Sequence, residues 1–182
     1  MNGRPRVEEI PAGACTRQFT AIALHSFFMA SGAHLIGMGI PIFVLRTWSS
    51  DFFSGVAISI PSFFYIITTL LFGRISAKIG RKNSMVVSLA MNQVIFVLHF
   101  SLLVLAPVTG SSWMLPVIVA CRGGEGIAQG LFWPTLEARI SDVASLNCTT
   151  IEHRSMVTGR GVSFFNLGWN VGLLFGAFAF WV

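Results

Sequence analysis

Between Phe19 and Leu45 the chain carries no Asp, Glu, Lys or Arg, and the same holds for Phe52 to Phe72, Ser84 to Ala106 and Gly161 to Val182. A fifth stretch, Trp113 to Thr135, is apolar apart from Arg122 and Glu125. Each run supplies the roughly 20 residues that a helix needs to cross about 30 Å of hydrocarbon. In lipid, every backbone N–H and C=O must be satisfied inside a helix or a closed barrel. Barrel strands alternate polar and apolar residues, and runs such as Tyr65-Ile66-Ile67 and Met85-Val86-Val87 do not. The expected fold is therefore an all-α integral membrane protein, a multi-pass helical bundle. A segment 1–18 precedes a five-helix transmembrane domain 19–182, with spans near 19–45, 52–72, 84–106, 113–135 and 161–182.

Composition agrees. Of 182 residues, 54% are hydrophobic and 10% charged, against about 25% charged in soluble domains. The mean hydropathy is +0.74. The net charge of +5 would raise nucleic-acid binding in a soluble protein, but here the cations sit in short segments between apolar runs, where they report topology. With the N-terminus in the cytoplasm, Arg4, Arg6, Arg17, Arg74, Lys78, Arg81, Lys82, Arg139, Arg154 and Arg160 all fall inside, Arg46 alone falls outside, and Arg122 lies within the membrane. A plasma or inner membrane location is expected. The first run is far longer than a signal-peptide core, so it is expected to remain as a span. Cys15, Cys121 and Cys148 have no metal or redox spacing and are expected to be free thiols. Asn147-Cys148-Thr149 matches a glycosylation sequon on what is expected to be the cytoplasmic side, so the match carries no weight. The fifth run stops at Val182 without a polar flank, which reads as a fragment.

The stretch Gly73-Arg74-Ile75-Ser76-Ala77-Lys78-Ile79-Gly80-Arg81-Lys82-Asn83 joins the second and third runs. Read plainly, it is a basic loop held at an anionic surface, with glycines where the chain turns. It also resembles the loop signature of the major facilitator superfamily: Gly, three residues, Asp, a basic residue, one residue, Gly, one residue, two basics. Gly73, Lys78, Gly80 and the pair Arg81-Lys82 fall near those places, the pair displaced by one, and Ala77 stands where the Asp is expected. In the family that Asp takes part in a cytoplasmic gate, so gating by that contact is not expected here. Further on, Arg122-Gly123-Gly124-Glu125-Gly126-Ile127-Ala128-Gln129-Gly130 is similar to the family's fourth-helix motif, and Gly39-Ile40-Pro41 to the end of its first helix. Gly168, Gly172 and Gly176 resemble its fifth-helix antiporter motif, with Leu173 in place of a Pro and Ala177 in place of a Gly. The resemblance implies the N-terminal half of a secondary transporter, lacking its sixth helix.

Arg122 is midway along its run and Glu125 three residues on, hence on the same helical face. Charges at that depth are costly and face a partner or a cavity. The two form either a self-neutralising packing pair or a substrate- or ion-coupling site. His34, near the middle of the first run, is a packing residue or a proton-coupling group; His25 and His99 lie in other runs. Asn166 and Asn170 share one face of the fifth run, to line a cavity or bond another helix, while Gly168 lies opposite. Gly126 and Gly130, with Gly168, Gly172 and Gly176, mark helix packing, and the last three are expected to lack a partner without the other half of the transporter. Glu137, Arg139 and Asp142 read as a solvated loop, and Arg160 as an anchor for the fifth run.

The expected function is secondary transport of a small solute by alternating access, coupled to an ion, possession of protons as that ion being the sharper form. The partners are lipid, the solute, protons and the missing C-terminal half, with no nucleic acid. The alternative is a non-transporting membrane subunit or channel piece. No enzyme is expected: there is no Gly-x-Ser-x-Gly, no His-Glu-x-x-His and no paired Asp motif, and no nucleotide loop, metal site or cofactor motif stands in the sequence.

Overall fold

The structure is a computed structural model that describes residues 12–109, 113–147 and 151–181. Arg4, Arg6, Cys148 and Thr149 of the sequon, and Val182 lie outside them. The described residues form five helices: α1 (Ala12–Trp48), α2 (Asp51–Ile79), α3 (Arg81–Thr109), α4 (Met114–Asn147) and α5 (Ile151–Trp181). Each coincides with one apolar run and extends beyond it. An apolar run sets no helix end by itself; α2, for example, runs from its Ser50 cap to Gly80. Thr20–Trp48, Asp51–Ile79 and Arg81–Leu105 are long and apolar enough to cross a membrane by length and composition; α4 and α5 carry more polar residues, among them Arg122, Glu125, Gln129, Asn166 and Asn170.

The connections are shorter than expected. Ser50 caps α2 from extended backbone, its hydroxyl accepting from the Phe53 amide at 3.4 Å, and Asp51 complements the helix dipole. At the other end, Gly80 alone separates α2 from α3, at φ +79°. Its N–H donates to the Ser76 carbonyl at 2.9 Å. The segment 73–83, expected as an eleven-residue loop, is thus helical except at the one position where only glycine is at ease with a positive φ. Gly73 lies inside α2, and a Cβ there would meet nothing within 4 Å, so neither a turn nor a close approach requires it. Glu137, Arg139 and Asp142, expected in a loop, stand within α4. The exposed Arg81 donates to Asp142 at 2.8 Å and ties the start of α3 to the far end of α4.

α1 packs along α5, and α4 is flanked by α2 and α3. Glycines set both close approaches. A Cβ at Gly168 or Gly172 would overlap the carbonyl oxygens of Phe27 and Ser31 on α1, and one at Gly176 would lie 3.1 Å from that of Leu35. The Ser31 hydroxyl also donates across this seam to the Gly168 carbonyl at 3.0 Å. The expectation that this stripe lacks a partner is corrected: α1 of the same chain occupies it. On α4, Gly126 abuts the Pro61 carbonyl, and a Cβ at Gly130 would lie 2.7 Å from Thr68 Cβ.

Two apolar clusters fill the interior. One joins Ile40, Val44, Ala57, Leu102, Met114 and Ile118; the other joins Met29, Phe132, Leu136 and Ile140. Along α4 they lie on either side of Arg122 and Glu125. The outer surface carries Phe28, Phe52, Phe63, Leu70, Phe100 and Leu174, all exposed, as a lipid-facing wall requires.

Candidate functional site

A proline in a helix removes the N–H that would bond the carbonyl four residues earlier. Pro61 lies inside α2, so the Ala57 carbonyl has no such donor, and in lipid it needs another. Arg122 supplies it: its Nε donates to the Ala57 carbonyl at 2.9 Å. Gly126, one turn along α4, leaves room for the Pro61 backbone and so lets the guanidinium reach. Arg122 Nη1 also donates to Glu125 Oε2 in an ion pair. The other carboxylate oxygen, Oε1, accepts from Gln129 Nε2 at 2.9 Å. The two charged side chains are only 5% and 2% exposed. A buried charge without a partner costs several kcal/mol in order of magnitude; here each charge has both its counter-ion and a neutral bonding partner.

This pair stands in the wall of a cavity of about 760 Å³. Every helix except α3 contributes: Ala33, His34 and Gly37 from α1, Pro61, Ser62 and Tyr65 from α2, Gln129, Trp133 and Glu137 from α4, and Phe165, Trp169 and Leu173 from α5, with others. The His34 ring lies on Trp169, centroids 3.6 Å apart and tilted by 34°. Trp169 meets Phe165 edge-on at 5.7 Å, and Phe165 meets Trp133 at 4.3 Å. One side of the cavity is therefore a ladder of rings; another is an ion pair with no net charge. Mostly apolar walls with a few convergent polar groups are what a small-molecule site requires.

Arg122, Glu125 and His34, singled out from the sequence on separate grounds, line this one cavity. Asn166 and Asn170 do not line it. Both are exposed on α5, and Asn170 Nδ2 donates to the Asn166 carbonyl of its own helix at 2.8 Å. His25 packs against Phe132, centroids 5.4 Å apart, and His99 is fully buried on α3. Lys78, Gly80, Arg81 and Lys82 are exposed at the α2–α3 connection, away from the cavity. Gln129, Tyr65, Trp133 and Trp169 were not anticipated. Gln129 had a signal, four residues beyond Glu125 on the same face. The aromatic ladder had none, because it forms across α1, α4 and α5. Among the described residues, no three His, Cys, Asp or Glu side chains gather as a metal site would need.

Compared with known families, residues 22–182 match the model of the Major Facilitator Superfamily. No curated protein and no solved structure matches.

Proposed function

The chain belongs to the Major Facilitator Superfamily, and from that premise we propose that its cavity is a solute site of a secondary transporter working by alternating access. The protein is an integral membrane protein of a solute-transporting family. The observation that carries the finer reading is the buried Arg122–Glu125 pair, held by Ala57 and Gln129, in the wall of a 760 Å³ cavity. Ionisable groups at membrane depth mark substrate or ion pathways, and transporter sites sit at that depth between repeats. His34 and Trp169 present a ring face to the solute, while Arg122 and Glu125 orient it. A second half of the transporter supplies the facing wall, and a coupled ion, a proton in the sharper form, drives the cycle. The cation distribution supports a cytoplasmic N-terminus. No enzymatic role is proposed.

The test is solute binding to the chain in lipid nanodiscs, read by quenching of tryptophan fluorescence over a solute panel. Saturable quenching by a subset of solutes, weakened in Trp169→Leu and in Glu125→Gln, is the expected result. Quenching that never saturates, or that both variants leave intact, would remove the cavity from consideration.

A further inference from the structure

α3 contributes nothing to the solute cavity, yet it carries a polar face of its own. Ser84, Ser88, Asn92 and His99 are spaced by four, four and seven residues, which places them on one side of the helix. All four are completely buried. The two hydroxyls are satisfied within the helix: Ser84 Oγ donates to the Gly80 carbonyl and Ser88 Oγ to the Met85 carbonyl, each at 3.0 Å. Asn92 and His99 are not. Neither the amide oxygen and nitrogen of Asn92 nor either ring nitrogen of His99 meets a partner at full hydrogen-bond geometry among the described residues, although the Ile95 carbonyl one turn back acts on the His99 ring. On α1, the buried Nε2 of His25 is in the same position. Ile95, between Asn92 and His99 in sequence, reaches Gly124 of α4, since a Cβ there would lie 3.1 Å from Ile95 Cδ1. The stretch of α3 between Asn92 and His99 is therefore level with Gly124, which lies between Arg122 and Glu125 on α4.

A dry interior is a poor account of this arrangement. Each buried polar group without a partner is costly, and four such atoms on two side chains of one helix face, two turns apart, compound the cost. Buried water commonly resolves it, each molecule bonding two to four otherwise unsatisfied groups. We propose that the buried face of α3 binds a chain of internal water through Asn92 and His99, and that this chain brings a proton to His99, beside the Arg122–Glu125 pair, by a route separate from the solute cavity. The transfer balances within one ring. Water donates a proton to the bare ring nitrogen of neutral His99, and the opposite ring N–H then gives its proton to the next water. One proton has moved and the imidazole is left as the other tautomer. A proton passing through His99 is transiently a charge acting on the pair that lines the cavity, so proton passage and solute occupancy are linked reciprocally. The buried or half-buried ionisable groups described on the helices packed against α3 are His25 and His34 on α1, Tyr65 on α2, and Cys121, Arg122, Glu125 and Asp142 on α4, the last paired with Arg81. Coupling to solute rests on the transport reading; hydration of the α3 face does not.

The test is hydroxyl-radical labelling by radiolysis of water, on the chain in lipid nanodiscs, with side chains read by mass spectrometry. Met114 is the dry control, being fully buried in an apolar cluster and easily oxidised. His99 should label readily while Met114 stays protected, and Asn92→Leu should reduce labelling of His99 and lower the melting temperature. His99 as protected as Met114 would overturn the proposal, as would Asn92→Leu with an unchanged or higher melting temperature. For the proton, the ring N–H of His99, observed with 15N-labelled histidine and assigned by His99→Gln, should exchange rapidly with solvent; persistence for hours would remove the relay. Failure of solute binding with labelling intact would count against the transport reading alone.

Discussion

Arg122 and Glu125 should depend on each other, and the dependence should be lopsided. Replacing Glu125 with Gln leaves the Arg122 guanidinium buried at 5% exposure with neutral acceptors only, the Ala57 carbonyl and the introduced amide, and no counter-ion. Breaking a buried pair from one side costs about 3–5 kcal/mol. Replacing Arg122 with Met strands the Glu125 carboxylate with Gln129 and also orphans the Ala57 carbonyl, because Pro61 has no N–H to offer it. That second loss adds roughly 1–3 kcal/mol, so Arg122→Met should be the worse single change. In the double variant no uncompensated charge remains, and it should be less destabilised than either single. The assay is reversible unfolding in mixed micelles, followed by tryptophan fluorescence for all four members of the cycle. Additivity of the two single changes to within about 0.5 kcal/mol would refute the pairing.

Further outcomes follow from packing, surface charge and topology. Gly172→Ala should destabilise the α1–α5 seam by about 1–3 kcal/mol, because its Cβ would overlap the Ser31 carbonyl, whereas Gly37→Ala, with nothing within 4 Å, should be near neutral in the same unfolding assay. Exposed as it is at 54% and 43%, the Arg81–Asp142 pair should give a coupling energy of only about 0.2–1 kcal/mol in a double-mutant cycle, shrinking as salt is raised. In a cysteine-free background, an impermeant thiol reagent applied to intact cells should label a cysteine placed at Thr109 and not one placed at Ser76; the reverse pattern would invert the topology.

The helices were legible in the sequence because lipid leaves the backbone almost no other choice: a charge-free run of spanning length must bond to itself. The link between Arg122 and Glu125 was legible for a similarly local reason, since three residues along a helix bring two side chains together whatever surrounds them. Where the chain had to choose among partners, local pattern was silent. Gly168, Gly172 and Gly176 announce a close approach, but a missing side chain names no neighbour, and only the assembled bundle selected the α1 backbone between Phe27 and Leu35. Hydropathy located the helices but not their ends, so Asp142 read as loop although α4 carries it to Arg81. The most consequential decision was also tertiary. Pro61 frees a carbonyl in α2, Gly126 lets α4 come close enough, and Arg122 bonds it across the gap. Each residue is visible alone in the sequence; the site exists because packing brings all three to one place.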